Sequence, residues 1–573
     1  MKARHPRFLR FPKQFNAASQ RAAGSCDPAG GTNLTRRGRT RQSVPRRACQ
    51  EEKTVSNTRE HSDAEHLKAL GYEQNFDRSM SLWANLALGF LYLSPLVSVV
   101  AMFAQGLATA GPPSIFWILI VGCGQMLVAL IFGEVVAQYP IAGGLYQWAR
   151  RLWNGQYAWL LSWIYLSCVI VAIATTAMFG SSFVANLFVG TRAQPVVPIT
   201  PGMTAIVAGT MLFVGMILNL TGTKTLSRIA SAGLAAELVG VVAVGLYLLI
   251  FERRNSPAVF LDTMGTAIHG NYMPAFIGAA LVGLFMVYGF EACGEVAEEV
   301  PNPGRQIPRA MMLTVVIGCV SAVFSFAGYV LAAPNLQDIV AGKVTDPIPE
   351  MLNNAIGFWG TKIFLVIALT SFLACVMGQQ ASASRLVYSF ARDNMFPGSA
   401  IFARLTKKWH APVWANIAVN TLSGLLVIFV YCVPGSLYRV AGMQMLAGYI
   451  AFQMVVLAAL RARFKGWKPA GSFSLGGWGW LVNLGALGYG VFACIVLATP
   501  SNDMSLSLVD RWIALVGMLV VLATGALYLV IAKPHRRSNA PEGDAVEVAN
   551  QMRANRAAKP YRETEARGKK VAA

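Results

Sequence analysis

The sequence predicts an all-α integral membrane protein with twelve transmembrane helices, and three observations carry that fold class. Of the 573 residues 55% are hydrophobic and only 13% charged, with a mean hydropathy of +0.48, whereas a soluble chain carries about 25% charged residues. Apolar runs recur from Leu82 to Ala532, each of about 20 residues and long enough for roughly 30 Å of hydrocarbon. No series of short alternating segments, the mark of a membrane β-barrel, accompanies them.

In chain order the expected spans are 82–107, 115–137, 157–189, 203–221, 226–251, 273–300, 309–333, 359–384, 412–432, 437–460, 478–499 and 511–532. An even number of crossings puts both termini on one side. One set of loops holds fifteen Lys and Arg, among them Arg150, Arg151, Arg305, Arg309, Arg385 and Arg392, and the other holds four, or seven with its borders. Positive loops stay in the cytoplasm, so both termini are expected there, in a multi-pass protein of the plasma membrane. Residues 66–535 form the helical domain. The net charge of +21 comes largely from the tails: residues 1–50 alone carry twelve Lys and Arg against the one acid Asp27. The segment 1–65 reads as a basic, disordered, solvated tail with no signal peptide and no nucleic-acid partner. Residues 536–573 read as a second disordered tail.

Six of the nine cysteines fall in the interior of spans, with Cys432 at the end of a seventh, and no C-x-x-C occurs, which predicts packing residues rather than disulfides or a zinc site. No metal or cofactor is expected. G-x-S-x-G, H-E-x-x-H and Walker A motifs are absent from the sequence, so neither hydrolysis nor ATP-driven pumping is supported.

Charges inside the membrane are the next clue, since one at the centre of a helix costs roughly 2.5–3.5 kcal/mol. The spans contain Glu134 in the second, Glu237 in the fifth, and Glu291 and Glu295 in the sixth, with Glu298 and Glu299 nearer the cytoplasmic surface. No Asp, Lys, Arg or His falls in the middle of a span. A histidine proton relay and an arginine voltage sensor are excluded, and glutamates are left as the proton carriers. Glu237 sits about 16 Å into its helix, near the midplane.

Two spans carry helix breakers at corresponding places. In "YGFEACG" Gly289 and Gly294 flank Glu291, and in "LSPLVS" Pro95 stands between Ser94 and Ser98. Broken helices expose free N–H and C=O groups, which lipid cannot satisfy and a polar site can. Breaks in the first helix of two five-helix sets point to an inverted-repeat transporter, with one repeat at about 82–251, the second at about 273–460, and extra helices at 478–532. The expected substrate site is Tyr92, Ser94, Pro95, Leu96, Val97 and Ser98 from the first break, and Phe285, Gly289, Phe290 and Glu291 from the second. The N–H groups of Leu96, Val97 and Ser98 are expected to face a substrate carboxylate, and the carbonyls near Tyr92 and Phe285 its ammonium group. Glu237 and Glu291 are the ion-coupling candidates.

The segment "FGEVVAQYPIAGGLYQWARRLW", residues 132–153, resembles the helix 2 to helix 3 stretch of the amino acid–polyamine–organocation permeases. "YGFEACGEVAEEVPNPGRQIPRA" resembles their helix 6 and the loop after it, and "ASASRLVYSFARDNMFP" the end of helix 8. The resemblance covers about residues 65–535 and is nearest to the bacterial amino acid–choline and GABA permease branch. It implies an inverted five-plus-five fold with two extra helices and alternating access. It also implies amino acid or small amine substrates, moved with protons (sodium being the other candidate ion) or by exchange. Phe285 falls where relatives carry an aromatic lid. Glu237 falls where some proton-coupled relatives place a lysine, and its opposite sign means that mechanism does not transfer. Glu134, Gly143, Gly144 and Tyr146 belong to an expected inner-gate region. Gln379, Gln380, Ser382 and Ser384 are candidates for the cavity wall or for interhelical hydrogen bonds. Arg150, Arg151, Arg305 and Arg309 are candidate partners of Glu298 or Glu299. The leading expectation is a proton-coupled secondary transporter and not an enzyme. An exchanger without net ion coupling and a transporter-like nutrient sensor are the alternatives.

Overall fold

The computed structural model describes residues 62–571 except 193–196, 198, 345–346, 434 and 501–506. Nearly all of the expected basic tail, residues 1–61, lies outside the described residues. Among the described residues the regular structure is helical, with a single isolated β-bridge between Ile268 and Asn271. Eleven helices among the described residues are long and apolar enough to cross a membrane, from Leu82–Ala110 to Ile513–Arg536. They match eleven of the twelve expected spans in order. The sixth differs: its continuous apolar helix is only Met273–Met286, and the chain then leaves helical geometry until Ala292–Glu295. Gly289, at φ +116°, is the reason that the expected span 273–300 cannot continue.

Burial separates the helices into centre and rim. In the first span 94% of the most apolar window is buried, and in the last only 11%, so the first is enclosed by other helices while Leu527, Val530 and Ile531 of the last are left to lipid. The second span packs along the seventh, the third along the eighth and tenth, and the first touches the fifth, seventh and eighth.

The first span is two helices, Leu82–Leu93 and Pro95–Ala110, joined at Ser94 with φ +39°. The cause is local: proline drives the residue before it out of the right-handed helical region, and it has no N–H to continue the ladder. As Pro95 is the first residue of the second piece, that missing donor is one the helix start would leave unused anyway. The fifth span is also irregular, with a π-helical turn at Val239–Ala243 two residues after Glu237. The eighth is bent at Gly357, φ +69°, before running to Arg392.

In the C-terminal segment, residues 538–544 lie against the ends of the helices and lead into the helix Ala545–Val571.

Candidate transport site and the closure beside it

The two helix breaks meet. A methyl group in place of the Gly289 hydrogen would lie 2.8 Å from the backbone nitrogen of Leu93, so only glycine allows the second break to press against the first. The rings of Tyr92 and Tyr288, one on each break, stand 5.8 Å apart.

Beside them is a small, partly open cavity of about 20 Å³, room for about one water molecule. Of the expected site residues Tyr92, Val97, Ser98 and Phe285 line it, together with Gln379 of the eighth span. Sequence reasoning missed Leu93, Thr176, Tyr288, Cys375, Gln444 and Met445, which complete the wall. Phe290 is not on the cavity wall; it packs against Phe132 and Phe452 in the core. Ser94, Pro95, Leu96, Gly289 and Glu291 are also off the cavity wall. They shape the breaks behind it.

The N–H groups expected to receive a substrate carboxylate are already engaged. Glu237 Oε1 accepts the Ser94 hydroxyl at 2.6 Å and the Leu96 N–H at 3.2 Å. The Val97 N–H donates to Ser94 Oγ at 3.4 Å, and the Ser98 N–H to the Ser94 carbonyl at 2.9 Å. The start of the helix Pro95–Ala110 is therefore capped by the chain's own carboxylate. At the second break Glu291 accepts the Gly289 N–H at 3.1 Å and the Tyr165 hydroxyl at 2.9 Å, bracing the non-helical turn. On the carbonyl side, the Ser98 hydroxyl donates to the Leu93 carbonyl at 2.9 Å and the Cys375 thiol to the Tyr92 carbonyl at 3.7 Å.

Glu237 Oε2 and both carboxylate oxygens of Glu295 are buried without a hydrogen-bond partner. Glu295 follows Glu291 by one turn, and Gly144 makes room for it, since a methyl there would approach its Oε1 to 2.8 Å. Among the described residues no Lys, Arg or His forms an ion pair with Glu237, Glu291 or Glu295.

At the far end of the sixth span the pattern reverses. Glu299 pairs with Arg385 at 2.9 Å, and Glu298 accepts Arg392 at 3.0 Å and the Ala142 N–H at 3.1 Å. Asp393 gathers the hydroxyls of Tyr146 at 2.9 Å and Tyr72 at 3.1 Å with the Gln147 amide at 3.0 Å. The Gly143 N–H donates to the Glu295 carbonyl at 3.1 Å. Sixth span, eighth span and the Gly143–Gly144 turn are thereby tied at one level, and the segment before the first span joins them through Tyr72.

The arginines that pair with Glu298 and Glu299 are not those expected. Arg305 and Arg309 are exposed. Arg150 and Arg151 hold the C-terminal segment: Arg150 donates to the Ala540 carbonyl at 2.8 Å and to Ser538 Oγ at 2.9 Å, and Arg151 pairs with Asp544. Glu542 accepts the Gly155 N–H at 2.6 Å. Glu134, expected in the inner-gate region, pairs with Arg463 and accepts the Leu475 N–H at 2.6 Å, joining the second and tenth spans. Gln380 bonds to Asn420 at 2.5 Å and to the Leu212 carbonyl at 3.0 Å, an interhelical role and not a cavity one.

Comparison with known proteins gives this geometry a context. A putative polyamine transporter of Candida albicans is 27% identical over 524 residues, covering 85% of this chain and 91% of its own. An amino-acid permease of Arabidopsis thaliana is 25% identical over 489 residues, covering 76% and 88%. A choline transporter of Saccharomyces cerevisiae is 26% identical over 452 residues, covering 76% and 78%. Residues 83–527 match the family model described as amino acid permease. Together with helices that span a bilayer many times, this makes the chain a multi-pass membrane transporter and a member of the amino acid permease family.

Proposed function

We propose that this permease carries an amino acid or a related small amine across the plasma membrane by alternating access, coupled to protons, with both termini in the cytoplasm. The observation that carries the reading is the pair of buried glutamates, Glu237 and Glu291, each bonded to a helix break beside one cavity and neither with a cationic partner. A carboxylate buried without a cation costs several kcal/mol, and a proton or a positively charged substrate removes that cost. A group that is stable only when neutralised, at the point where two helices break, can link ion binding to a change in how the breaks pack.

Relatives named as a polyamine transporter, an amino-acid permease and a choline transporter support amine-bearing substrates. The packing supports an inverted repeat: second against seventh and third against eighth are the neighbours that a two-fold relation between spans 1–5 and 6–10 would produce. The paired carboxylates Glu298 and Glu299 form the inner gate in this reading, and they must part when the cavity opens to the cytoplasm.

Uptake into liposomes reconstituted with the purified protein tests it, using labelled amino acids, 4-aminobutyrate, polyamines and choline with and without an inward proton gradient. Accumulation into empty vesicles that needs the gradient is the expected result. Uptake only into vesicles preloaded with substrate would replace coupling with exchange and leave the glutamates structural. No uptake of any compound would favour a sensor.

A further inference from the structure

We propose that the transport site selects an organic amine cation that lacks a carboxylate, because Glu237 occupies the place a substrate carboxylate would take. The inference rests on the proposed transport of amines and narrows its substrate class.

An amino acid bound at a broken helix needs a donor set for its carboxylate. The best set here would be the start of Pro95–Ala110, but its Leu96 N–H and the Ser94 hydroxyl both point to Glu237 Oε1. At the second break the Gly289 N–H is taken by Glu291. No Lys, Arg or His lines the cavity, so nothing there balances an anion. A carboxylate would enter a site with two buried carboxylates behind its wall.

For a cation the same features are favourable. Gln379 Nε2 donates to Thr176 at 3.0 Å, which leaves Gln379 Oε1 buried and unpartnered as an acceptor. The Tyr92 hydroxyl is buried beside those of Tyr288 and Tyr165. Ser98 spends its proton on the Leu93 carbonyl and keeps its lone pairs. Tyr92, Tyr288 and Phe285 add aromatic surface of the kind that attracts ammonium groups. The cavity thus offers acceptors and ring faces, and the chain has supplied the anion itself.

Matched pairs that differ by a carboxylate test this on the purified full-length protein, read by thermal stabilisation and by uptake in liposomes. Suitable probes are putrescine against ornithine, cadaverine against lysine, butylamine against 4-aminobutyrate, and choline against glycine betaine. The expected result is that in the best-bound pair the member without the carboxylate acts at a concentration at least tenfold lower. Equal or better binding by the carboxylated member would overturn the inference and leave the permease reading in place. Failure of all eight compounds would overturn both. In Glu237→Ala the Leu96 N–H and Ser94 hydroxyl are released, and the ratio should fall toward one. Glu237→Gln keeps the hydrogen bonds without the charge and should lower the ratio less. A ratio unmoved in both variants would overturn the assignment to Glu237.

Discussion

Six glutamates are buried among the described residues, and they fall into two groups. Glu134, Glu298 and Glu299 each meet an arginine, respectively Arg463, Arg392 and Arg385. Glu237, Glu291 and Glu295 meet none. The first group lies at helix ends and holds separate spans together. The second lies at the helix breaks or one turn beyond. The difference teaches that burial of a carboxylate has two uses here. With a cation it fastens, and removing one partner leaves an uncompensated charge. Without a cation it is costly as it stands, and it answers to whatever neutralises it.

The largest effect expected from breaking this contrast is at the Arg385–Glu299 pair, where both side chains are almost fully buried. Arg385→Met should lower stability by about 3–5 kcal/mol, measured by thermal denaturation in detergent, and adding Glu299→Leu should restore most of it. An unchanged melting temperature in Arg385→Met would deny the pair its fastening role. Gly289→Ala comes next. It forces a side chain onto a positive φ and into Leu93, a cost of about 1–3 kcal/mol, and it displaces the N–H that supports Glu291. Transport should drop at least tenfold while expression persists. Normal uptake would show that the two breaks need not touch.

Glu295→Gln sharpens the comparison by its sign. Replacing a buried carboxylate that has no partner should leave thermal stability equal or higher, the opposite of Arg385→Met. A fall as large as that in Arg385→Met would place Glu295 in the fastening group. The smallest effect is at His66, outside the spans, whose pKa is lowered from its ordinary 6.5 by burial. The folded segment prefers neutral His66, so the unfolded chain binds more protons as pH falls through 6.5, and stability declines. Amide exchange of residues 62–80 should quicken on acidification to that range, and His66→Gln should weaken the dependence.

The spans were legible because hydropathy over 20 residues survives any packing arrangement. Both breaks were legible from residues with one backbone consequence, Pro95 acting on Ser94 and Gly289 acting on itself. Their partners were not. Glu237 reaches Ser94 across 143 positions, and nothing periodic in the sequence announces that a carboxylate from the fifth span caps the first. Thr176 and Gln444 were invisible as cavity wall for the same reason. Arg385 and Arg392 were counted with the loops, although the eighth span stays helical to Arg392 and turns them inward. The C-terminal segment left one signal that composition hides: Glu542 and Asp544 complement the adjacent Arg150 and Arg151.

The most direct measurement is proton-driven accumulation by wild type and Glu237→Gln in the same liposomes, with substrate exchange measured in parallel. Wild type should accumulate substrate against its gradient, and the variant should lose accumulation at least tenfold while exchange continues. Accumulation by Glu237→Gln equal to that of wild type would contradict a coupling role for the unpaired carboxylate at the first break.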